Sequence, residues 1–143
     1  MSDMLFPDAA PPKNSEEELL VATYLKVGRT LDDLAYTDDF DALYNMLPEP
    51  RKHRAAVIHR LQNLRKANKL PRLGRAVSQA IKVTPEEESI LAQLVIDACG
   101  TIGQRDQLLY EERFDTIVSA FNEKTSRNLT PHDVWRLIAK IAK

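Results

Sequence analysis

Apolar residues recur at three- and four-residue intervals through six stretches of the chain, the spacing that lines one face of a helix, and no stretch alternates as a strand would. Leu19, Leu20, Ala22, Tyr24 and Val27 form the first, entered through Ser15 and Glu18 at capping-box spacing and ended by Gly28. Thr37-Asp38-Asp39 caps a second, with Phe40, Leu43, Tyr44 and Leu47 at helical spacing until Pro48 and Pro50 stop it. The third runs from about Arg51 to Ala67 and turns Val57, Ile58, Leu61 and Leu64 inward. Thr84-Pro85-Glu86-Glu87 opens a fourth with cap, N1 proline and first-turn acids in order, followed by Ile90, Leu91, Leu94, Val95 and Ala98. A fifth extends from about Glu111 through Phe121 on Phe114, Ile117, Val118 and Phe121. Thr130-Pro131-His132-Asp133 repeats the cap-and-proline entry, and Val134, Leu137, Ile138 and Ile141 face inward in the sixth.

The six stretches read as the same three twice. Glu16-Glu17-Glu18, leading to Gly28, matches Glu86-Glu87-Glu88, leading to Gly100; Tyr36, Phe40 and Asp41 match Tyr110, Phe114 and Asp115. Val57, Ile58, Leu61, Leu64 and Lys66 then match Val134, Trp135, Ile138, Ile141 and Lys143. The second copy is longer before Tyr110 and before Val134, which places its extra residues in the turns between helices. The expectation is an all-α protein of two tandem three-helix, helix-turn-helix-like units related by duplication. Residues 1–14 would be a disordered tail, 15–68 the first unit, 69–83 a basic linker and 84–143 the second unit. At helical spacing with Ile138, Trp135 is expected in the core.

Composition agrees with helices: four glycines among 143 residues, and 43% hydrophobic against 6% aromatic residues, which suits small aliphatic cores. The lone cysteine, Cys99, has no disulfide partner, so a reducing, cytoplasmic setting is expected. The N-terminal residues lack the apolar run of a signal peptide, and no stretch approaches the roughly 20 apolar residues of a membrane span.

Charge changes the picture. Residues 1–50 hold 3 basic and 11 acidic residues, 51–83 hold 10 basic and none acidic, and 84–143 hold 7 and 10, so a net charge of −1 hides a strongly segregated chain. Cations gathered on one surface neutralise phosphates, and this stretch coincides with the third helix. With its apolar face inward, that helix would expose His59, Arg60, Gln62, Asn63, Arg65 and Lys66, while Arg51, Lys52, His53 and Arg54 crowd its first turn. Amides pair with adenine and arginines with guanine in a major groove, which gives Gln62 and Asn63 a base-reading role or leaves them as polar residues on a solvated face. Arg72 and Arg75 could form a basic arm, and Lys69 extends the patch. The expected nucleic-acid contacts are therefore Arg51, Lys52, Arg54, His59, Arg60, Gln62, Asn63, Arg65, Lys66, Lys69, Arg72 and Arg75. The same cations could instead pair with the acidic first 50 residues.

Catalytic chemistry is not expected. His53 and His59 have no carboxylate or cysteine nearby in sequence, His132 has only Asp133 beside it, and the acid runs occupy first helical turns, where acids are favoured structurally. No metal, cofactor or small-molecule substrate is implied, and the three histidines are expected at the surface or on phosphates.

From Thr84-Pro85-Glu86-Glu87-Glu88-Ser89-Ile90-Leu91 to Ala98-Cys99-Gly100 the chain resembles the opening of a Myb/SANT-type repeat, and Trp135 matches one of that family's core tryptophans. Asn14 and Val83 stand where the first tryptophan would be, and homeodomain-like and other three-helix units also fit. The resemblance implies a third helix facing DNA in each unit, although many SANT-like domains bind protein tails. DNA is the expected partner, through the basic third helix of the first unit. The net-acidic second unit would serve a protein partner or self-association, and the alternative for the whole chain is a protein–protein interaction module.

Overall fold

A computed structural model describes residues 13–48, 52–73 and 78–143. Six α-helices appear among them: α1 (Lys13–Val27), α2 (Asp38–Met46), α3 (Arg54–Lys66), α4 (Pro85–Cys99), α5 (Glu112–Thr125) and α6 (Pro131–Ile141). No strand occurs among the described residues, so the expected all-α class holds. No helix is long and apolar enough to cross a membrane.

The entry signals act as read at three helices. Thr37 accepts a hydrogen bond from the Phe40 N–H at 3.1 Å. Thr84 and Thr130 each close a full capping box, with Glu87 and Asp133 reaching back to the cap's own N–H. Ser15 does not cap α1, which starts two residues earlier. Lys13 and Asn14 thus belong to α1, while the rest of the expected tail lies outside the described residues.

Two 3-10 turns escaped the helical periodicity, Leu31–Asp33 and Ile102–Leu108. They hold Leu31, Leu34, Leu108 and Leu109 in the core, and they join the halves. The first turn packs on α6 and the second on α3, while α1 packs on α2 and the helices α4, α5 and α6 pack on one another. One buried cluster therefore runs through both halves, from Leu20, Tyr24, Phe40 and Ile58 to Leu91, Phe114, Trp135 and Ile138. Trp135, Phe40, Phe114 and Phe121 are fully enclosed, each contributing about 1.5–3 kcal/mol by burial.

Four aromatic rings centre this cluster. Tyr36 and Tyr110 stack with centroids 4.3 Å apart; Tyr36 also stacks on Phe114 at 4.9 Å and Tyr110 on Phe40 at 5.1 Å. Tyr110 Oη accepts the Tyr36 N–H at 2.6 Å, and Tyr36 Oη accepts the Tyr110 N–H at 2.5 Å. Burial raises both phenols, Tyr110 to about 12 and Tyr36 further, although the bond from the other's backbone pulls each back.

The segment expected as a basic linker is fastened where it is described. Ser78 N–H donates to Asp33 Oδ2 at 3.2 Å, and Arg136 donates to the Ser78 carbonyl at 3.1 Å and to that of Gln79.

Candidate nucleic-acid interface

Helix α3 carries the basic run, and its surroundings decide which cations are free. The turn Ile102–Leu108 packs on α3, and its Asp106 meets Lys66, one helical turn beyond Gln62. Gln62 is 1% exposed, not the solvent-facing amide expected, and its Oε1 accepts a hydrogen bond from Arg65 Nη2 at 2.7 Å. His59 is half-buried, with its Nε2 enclosed and without a hydrogen-bond partner, so it too is drawn off the surface.

Three of the expected cations are paired with carboxylates. Arg54 Nε lies 3.1 Å from Asp41, and its guanidinium sits 4.7 Å over the Tyr44 ring. Arg65 Nη1 lies 2.9 Å from Asp32, and Lys66 Nζ lies 3.0 Å from Asp106. Segregated charge in the sequence is partly neutralised in space, by acids of both halves.

What stays open is a groove of about 770 Å³ between α1 and α3. Lys52, His59, Arg60, Asn63 and Lys69 line one wall, and Glu16 and Glu17 the other. Arg60 and Lys69 approach Glu17 only to 3.9 Å, the outer limit of an ion pair. Asn63, Lys52 and Lys69 are solvent-exposed. Arg72 is exposed at a separate cavity of about 460 Å³ that it shares with Arg65, Asn68 and Lys143. Arg51 and Arg75 lie outside the described residues.

A second polar cluster was not anticipated. Asp33, 1% exposed at its side chain, accepts from Arg29 Nε at 3.1 Å on Oδ2, and its Oδ1 lies 3.1 Å from both His132 Nε2 and Arg136 Nε. Burial would raise its carboxyl, but hydrogen bonds from Ser78 and the Arg29 guanidinium outweigh this and hold it below the ordinary carboxylate value. His132, expected at the surface, is therefore largely enclosed, because Asp33 and Ala35 of the first half stand against its ring.

Ser78, His132 and Asp33 lie together but are not arranged as a nucleophilic triad. That chemistry needs the hydroxyl and the carboxylate on opposite ring nitrogens. Here Ser78 Oγ, at 3.2 Å, and Asp33, at 3.1 Å, share Nε2, while Nδ1 faces the Ala35 carbonyl at 3.0 Å. Ser78 Oγ also accepts from Arg29 Nη2 at 2.7 Å. The cluster ties the joining segment, the first 3-10 turn and α6 into one network.

The chain matches no protein-family model, no curated protein and no solved structure.

Proposed function

We propose that this protein binds nucleic acid, DNA in the first instance, through phosphate contacts made by Lys52, Arg60 and Lys69. One observation carries the reading: three cations of the carboxylate-free stretch, Lys52, Arg60 and Lys69, converge with the amide of Asn63 on one solvent-open groove, none with an ion pair closer than 3.9 Å among the described residues. Phosphate contacts supply most sequence-independent affinity. Burial of Gln62 removes one of the two amides suited to reading bases, so the contact proposed is to the backbone, with Asn63 the remaining amide. Drawing Arg60 and Lys69 away from Glu17 costs about 0–1 kcal/mol for each such exposed pair, which a phosphate can offset.

The Myb/SANT-like resemblance supports the choice of a third helix. Only the first half suits that role, because α6 buries Leu137 where the paired alignment puts Arg60 on α3. A cytoplasmic setting, in which Cys99 stays reduced, suits this ligand. The second reading, a docking module for another protein, is favoured by Leu19 and Leu25, which stand 43% and 47% exposed on α1 beside the groove.

Fluorescence anisotropy with a mixed-sequence duplex, titrated across salt concentrations, separates the two. Salt-sensitive binding is expected, and replacing Lys52, Arg60 and Lys69 together by alanine should lower the slope of log affinity against log salt by about 0.9 for each phosphate no longer neutralised. Arg65→Ala, whose guanidinium is held by Asp32 and Gln62, should leave that slope unchanged. An absence of binding at low salt refutes the proposal.

A further inference from the structure

The contacts between the halves come in pairs. Tyr36 gives its N–H to the Tyr110 hydroxyl and Tyr110 gives its own to Tyr36. Tyr36 stacks on Phe114 as Tyr110 stacks on Phe40. Lys66 on α3 pairs with Asp106 of the second 3-10 turn at 3.0 Å, and Lys143, following α6, approaches Asp32 of the first at 3.6 Å. The first turn packs on α6 and the second on α3. Tyr36, Phe40 and Lys66 are the residues that sequence self-comparison alone had set against Tyr110, Phe114 and Lys143. Gly28 and Gly100, matched in the same way, both end their helices at positive φ, +74° and +97°. The residues matched in sequence are thus ones that make reciprocal contacts across the joint. Each half offers its 3-10 turn, tyrosine and third helix, and receives the same three features from the other.

That arrangement is the signature of an isologous interface, in which residue i meets j and j meets i. We propose that the chain is a duplicated unit whose two copies form such an interface within one polypeptide, and that a second copy of this chain is a partner the interface fits, by mutual exchange of halves. A self-complementary surface has no means of telling its own chain's counterpart from another's. The covalent connection selects the internal pairing through an effective concentration in the millimolar range. At lower protein concentrations the chain closes on itself, and at comparable ones two chains exchange.

Complementary charge reversal tests this in the full-length protein. Lys66→Asp places two acids together at its contact, and Asp106→Lys places two amines there; the Lys66 side chain is 62% exposed, which favours folding of the first variant. In an exchanged heterodimer the first half of one variant meets the second half of the other, and both contacts become attractive. Unfolding and co-refolding an equimolar mixture at about 1 mM, then separating species by size with mass detection, should give a heterodimer enriched several-fold over the dimers of either variant refolded alone. The wild-type chain refolded at the same concentration should give a dimer fraction that vanishes at about 10 µM. Only monomers from the mixture and from concentrated wild type would overturn the proposal, as would a mixture with no preference for the heterodimer. Should the Asp106 variant fail to fold, the wild-type concentration series decides alone.

Discussion

Removing a single hydroxyl at the joint between the halves should be felt equally from either side. Tyr36→Phe keeps the ring, its 4.3 Å stack on Tyr110 and its 4.9 Å stack on Phe114, but leaves the Tyr110 N–H without its acceptor; Tyr110→Phe does the converse to Tyr36. A donor so stranded costs about 1–3 kcal/mol when buried, and these residues are half-buried, so about 1 kcal/mol each is expected. The two backbones add to the effect. Both tyrosines sit in the left-handed region, at φ +63° and +59°, a conformation costing non-glycine residues about 1–2 kcal/mol that the reciprocal bonds help to hold. For a chain of this size 1 kcal/mol corresponds to about 2–4 °C in Tm. Urea and thermal unfolding followed by circular dichroism should show the single variants matched within about 0.5 kcal/mol and the double variant lower by about 2 kcal/mol. Unequal single effects, or none, would refute the account of two equivalent hydrogen bonds. Alkaline titration gives an independent reading: both phenols are raised in the folded state, so the stability they confer is present below pH about 10 and is lost as pH rises from there towards the folded values.

Asp33→Asn should be the most damaging conservative change, because it strands Arg29, Arg136 and His132 in a largely enclosed network; a loss of about 3–5 kcal/mol in urea unfolding is expected. Since the Asp33 carboxyl titrates below its unfolded value of about 3.9, its contribution is complete above that pH and should fade as pH falls further, measurable as a falling urea midpoint. Glu87, held by the Arg127 guanidinium at 2.6 Å and by the Thr84 cap, should titrate near 2 by NMR, and Arg127→Ala should return it towards the ordinary glutamate value.

Six helices were legible in the sequence because each is long enough to repeat its apolar period and most carry an explicit entry or stop, as at Thr84, Thr130 and Gly100. The 3-10 turns were not, since three to seven residues cannot display a period; the signal available was the apolar pairs Leu34-Ala35 and Leu108-Leu109, set in otherwise polar loops and fully buried. This omission propagated. With no first turn expected against α6, His132 was left at the surface. Residues on the apolar face of their own helix were read correctly, as Trp135 and Leu61 show. Those whose neighbours come from the other half were not. Asp33 had nothing to distinguish it from Asp32 in sequence, although one is enclosed and the other holds Arg65 at the rim.

The crossed packing also sets an order of events during synthesis. Tyr36 cannot find its partner until Tyr110, 74 residues on, has emerged, and α3 is finished 40 positions before Asp106, the acid that Lys66 meets. At about 5–20 residues per second the nascent first half waits several seconds before Lys66 can meet its acid. Throughout that interval Tyr36 and Lys66 stand without the partners they meet in the folded chain.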